Sequence, residues 1–168
     1  MNISIYKTIR IASLVVDVLL VSAIHRIGVK YNLTAIQAAT LVTDAGKIKI
    51  ILNDRLVDYL TKEEIDAIIQ IEIERIEMNL IGSKSLQADL RCVREAAIMS
   101  RKCVIVNAMR KIRVKLLVQN NSLKAIKLFE ARIATLIGVE NSEAERTISF
   151  ENLVRKVRSV VNAAISLV

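Results

Sequence analysis

Apolar residues recur along this chain at helical spacing, and one predicted helix carries a charge inside its apolar stripe. In TKEEIDAIIQIEIERIEMNL, Thr61 to Leu80, steps of 100° place Ile65, Ile68, Ile69, Ile73, Ile76 and Leu80 within about 140° of one face. Glu72 falls inside that arc. A bare carboxylate buried there is expensive, so Glu72 must be paired, protonated or exposed in a groove. Thr61 and Glu64 have the Ser/Thr-x-x-Glu spacing of a capping box, which starts the helix, and Gly82 ends it.

The same reading predicts helices from Ser85 to about Met99, from Lys102 to Val118, and from Ser122 to Leu136 before Gly138. Ser142 with Glu145 repeats the capping pattern. The set Leu153, Val154, Val157, Val160, Val161, Ala164 and Ile165 then makes a strongly amphipathic last helix. Ile5 to Ile27 reads as a further helix, buried or facing a partner. Its run IRIASLVVDVLLVSAI contains Asp17 and is flanked by Arg10 and Arg26. The apolar stretch is shorter than the roughly 18 residues of a membrane span. Thr43 to Gly46 reads as a turn, Lys47 to Leu52 alternates like a half-exposed strand, and Asp54 to Tyr59 looks like a short helical turn. The expected fold is mainly α (α+β): a single domain over 1–168. It has an N-terminal helix in 1–30, a core over 40–137 and a C-terminal amphipathic helix over 142–168.

Composition agrees with long helices. There is no proline, glycine occurs four times, and 53% of residues are hydrophobic, which excludes a disordered chain. The net charge of +8 admits nucleic acid, a membrane surface or an acidic protein as partner, and equally a plain basic surface. Aromatic residues are 3% and the cations are spread out, so a stacking nucleic-acid platform is missing. Cys92 and Cys103 are too few for a disulfide framework and lack C-x-x-C spacing. They read as buried or free thiols in a reducing cytoplasm. No Gly-rich phosphate loop or G-x-S-x-G elbow is present. His25 is the only histidine and reads as a surface or interface residue.

A turn and strand followed by LVDYLTKEEIDAIIQIEIERIE resembles the core of zinc metallopeptidases of the HtpX and CaaX-prenyl-endopeptidase type. Leu56, Leu60, Thr61, Glu63, Glu64 and Ile65 match the entry to that family's HExxH helix. The HExxH positions fall on Ile71, Glu72, Ile73, Glu74 and Arg75. Ser85 to Asp89 takes the place of the family's ExxxD, Arg101 to Ile112 resembles the helix after it, and Glu130 to Leu136 resembles the closing element. The resemblance implies a minimal zincin-like helical domain, with a small strand or hairpin before the degenerate HExxH helix.

It also implies a lost metal site. Zinc in such a peptidase needs three protein ligands and an open fourth position. Here Ile71 and Arg75 replace both histidines and Ser85 replaces the third ligand. Only the general-base position, Glu72, and the supporting aspartate, Asp89, match. No cofactor and no metal are expected. Arg75, three residues after Glu72, is expected to pair with it and to reach Asp89, taking part of the charge that zinc would carry. The alternative is that Glu72 snorkels at a groove edge among ordinary surface pairs.

The expected function is a catalytically inactive metallopeptidase-like structural or assembly module acting through protein–protein contacts. Its partner is another protein or a second copy, and Lys47 to Leu52 offers an edge for strand pairing. The terminal apolar segments either complete the domain's own core or bury against another subunit. Similarity to small proteins of tailed bacteriophages gives a virion component as one version, so the expected location is the cytoplasm or a virion. A basic nucleic-acid-binding accessory protein is the alternative, supported by Arg110, Lys111, Arg113, Lys115, Arg155, Lys156 and Arg158. A residual hydrolase using Glu72 through a noncanonical metal ranks last.

Overall fold

Strands, not a helix, open the chain. The structure is a computed structural model that describes residues 3–22, 38–119, 123–138 and 143–166, with backbone alone over 143–152. Its elements are β1 (Ile3–Ile11), β2 (Leu14–Val21), β3 (Ala39–Asp44), β4 (Lys47–Asn53), α1 (Asp54–Val57), α2 (Lys62–Glu77), α3 (Leu86–Met99), α4 (Lys102–Val118), α5 (Leu123–Ile137) and α6 (Glu143–Ser166). The fold is therefore α+β and mainly helical, with a four-stranded sheet ahead of the longer helices.

The expected N-terminal helix over 1–30 is corrected by β1 and β2, which form an antiparallel hairpin. Its residues explain why. Val15, Val16, Val18 and Val21 are β-branched, and Val16, Val18 and Val21 are fully buried in the sheet. The turn is Ala12–Ser13, with Ala12 at φ 53°, a conformation in which glycine would be the ordinary choice. Residues 23–37, His25 among them, lie outside the described residues, as do Ser122 and Ser142.

The sheet order is β1-β2-β4-β3, with β2 and β4 parallel and the outer pairings antiparallel. The β3–β4 hairpin turns through Ala45 and Gly46, both at positive φ, as a type I′ turn requires. This places β4 inside the sheet, which corrects its expected role as an edge strand. Lys47 to Leu52 is paired on both sides, and Ile50, Ile51 and Leu52 are fully buried. Among the described residues, the sheet edges belong to β1 and β3.

One sheet face carries Val16, Val18, Ile50, Leu52 and Ala39 into a core shared with the helices. Lys7 of β1 also points to that side and pairs with Asp66 of α2 at 2.9 Å. Within the core, Ile68, Ile69 and Ile71 of α2 join Ile105, Met109 and Ile112 of α4 and Phe129 of α5. Thr61 caps α2 in the expected box, accepting from the Glu64 N–H at 3.2 Å. Helix α2 packs on α3 and α4, α5 packs on α3 and α4, and α6 lies against α4. Three helices thereby converge where α2, α3 and α5 meet.

Candidate functional site

The convergence of α2, α3 and α5 holds four buried charges: Glu72, Arg75, Asp89 and Arg132. Arg75 Nε donates to Glu72 Oε2 at 3.2 Å within α2. Its Nη2 crosses to Asp89 Oδ1 on α3 in a short contact. From α5, Arg132 grips the same carboxylate with two nitrogens, Nε to Oδ2 at 2.8 Å and Nη2 to Oδ1 at 2.7 Å. The Arg132 guanidinium also lies 5.1 Å from the Phe129 ring centre on its own helix. Two carboxylates thus face two guanidiniums, and the fork-to-carboxylate geometry at Asp89 is the strongest form this pairing takes.

The two carboxylates titrate in opposite directions. Burial pushes Glu72 above its ordinary value, although the charges of Arg75 and Arg132 oppose the rise. Burial also acts on Asp89, but there the hydrogen bonds and charge of Arg132, then the charge of Arg75, outweigh it and hold the carboxyl below its usual range. Beside them, the buried Cys92 thiol is pushed up by burial against the pull of Arg75.

Zinc does not fit these residues. Ile71, which the resemblance sets at the first histidine of HExxH, is sealed in the apolar core. Arg75, which the resemblance sets at the second, brings a positive charge. Ser85, which the resemblance sets in place of the third ligand, is exposed at the start of α3, where its hydroxyl caps the helix by accepting from the Ala88 N–H at 3.4 Å. Both Asp89 oxygens and one Glu72 oxygen already accept from guanidinium groups. Among the described residues, no group of three or more His, Cys, Asp and Glu side chains is placed to hold a metal ion.

Of the residues singled out in the sequence, the structure brings together Glu72, Arg75 and Asp89 and leaves Ser85 apart. Arg132 is the partner that sequence reasoning missed. Its signal was the same as that of Glu72: a charge on a helix face otherwise made of Ile126, Phe129, Ile133 and Leu136. Glu72 does not line a cleft, being 4% exposed. A cleft of about 500 Å³ lies elsewhere, beside Lys62, Asp66, Ala67, Met99, Arg101 and Val104.

The basic residues of α4 are largely engaged. Lys111 pairs with Glu64 at 2.7 Å, Arg113 with Glu130 at 2.6 Å and Lys115 with Asp58 at 3.6 Å. Lys102 and Arg110 of the same helix are exposed and stand eight residues apart. No described helix is long and apolar enough to cross a membrane. No protein-family model, curated protein or solved structure matches the chain.

Proposed function

We infer that this chain is a peptidase-like scaffold whose former site is now a structural ion cluster, and that it works as an assembly module through protein–protein contacts. The observation that carries the reading is Arg75. It stands at the second histidine position of the resembled motif and lies between Glu72 and Asp89. A guanidinium there takes space and charge that a metal would otherwise supply. It converts a reaction centre into a tie between helices.

Native mass spectrometry with metal analysis tests this. The expected result is a metal-free chain, found as an oligomer or in a stoichiometric protein complex, without chelator-sensitive hydrolysis of peptides. One zinc per chain together with chelator-sensitive hydrolysis would overturn it. The version that places the chain in a virion is tested by its copy number in purified particles, and absence from them removes that version. Nucleic-acid binding remains the competing reading and predicts a DNA affinity that falls steeply with salt. Binding that is weak and flat in salt removes it.

A further inference from the structure

We draw no further inference here: the strongest candidate, the cleft of about 500 Å³ where the start of α2 faces the turn from α3 into α4, sets Lys62 and Arg101 against Glu63 and Asp66 and so shows nothing that selects the chemistry of what would fill it.

Discussion

Among the ion pairs that tie α2 to its neighbours, a buried set and an exposed pair stand in contrast. Near the C-terminal end, Glu72 and Arg75 join Asp89 and Arg132 in the buried cluster. At the N-terminal end, Glu63 pairs with Arg101 at the start of α4, where the side chains are 58% and 70% exposed. Both sets hold carboxylate against guanidinium, and the surface pair is as short as the buried ones, at 2.5 Å. The contrast teaches that distance does not rank them. At the surface, water stands in for a lost partner, so the pair contributes little. In the cluster nothing does, so removing one member strands the others in a dry interior.

The sharpest way to break this contrast is Asp89→Asn. It keeps the shape of the side chain and removes the charge that two arginines share. Arg75 would keep Glu72, while Arg132 would be left without a carboxylate partner. The expected loss is about 3–5 kcal/mol, in line with breaking a buried pair from one side. Urea denaturation of the purified chain measures it. A loss of only a few tenths would mean that the cluster is as solvated as the surface pair.

Arg75→Met should cost less, about 1–3 kcal/mol. Asp89 retains Arg132, and Glu72 can avoid a bare charge by taking up a proton. That escape gives the variant a pH signature. Glu72 already lies above its ordinary value of 4.5, so its folded form holds the proton more tightly than its unfolded form. Stability from such a group is present below the unfolded value and is lost as pH rises through the folded one. Without Arg75 the folded value should climb further, so the penalty of Arg75→Met should grow from acid toward neutral pH.

Glu72→Gln sharpens the comparison within the cluster itself. Asp89 is depressed, so its contribution is present above its unfolded value and disappears as pH falls through the folded one. Glu72 has the opposite sign. Replacing it with glutamine should remove the decline on the alkaline side while leaving the acid side, governed by Asp89, in place. Relative to the parent chain, the variant should gain stability as pH rises above the ordinary glutamate range. Denaturation midpoints across that range check the sign. A variant that loses ground with rising pH would show that Arg75 favours the ionised form of Glu72 more than burial opposes it.

Much of this geometry was legible in the sequence. A carboxylate inside an isoleucine stripe demanded a partner, and an arginine three residues on could reach it. The capping box at Thr61 and the span Lys102–Val118 were written in local pattern, which short-range rules capture. The β3–β4 hairpin was readable because Gly46 marks its turn. The β1–β2 hairpin was not, because Ala12 takes a positive φ without glycine or proline to mark it. Its strands also carry unbroken apolar stretches such as LVV and VLLV, so period alone does not separate strand from helix there. The place of β4 inside the sheet depends on β2, which pairs with it from far along the chain. Arg132 was hidden for a similar reason: its partner Asp89 lies on another helix, and only tertiary packing joins them.

The smallest expected effect closes the comparison from the other side. Arg101 has its affinity for the proton raised, chiefly by its hydrogen bond to Glu63, yet both side chains stand in water. Arg101→Gln should leave the denaturation midpoint unchanged within error. Water replaces the lost contact, and two long side chains regain their rotamer freedom. Salt should make no difference to the variant relative to the parent, since a pair worth nothing has nothing to screen. Arg101 is also the N-cap residue of α4 and makes no side-chain cap there, so its removal takes no hydrogen bond from the helix. A clear loss of stability in Arg101→Gln would therefore have to come from the cleft that Arg101 lines with Lys62, Met99 and Val104. Arg101→Lys would then separate packing from charge: the lysine stem covers much of the same surface, and only a loss that persisted in it would trace to the guanidinium itself.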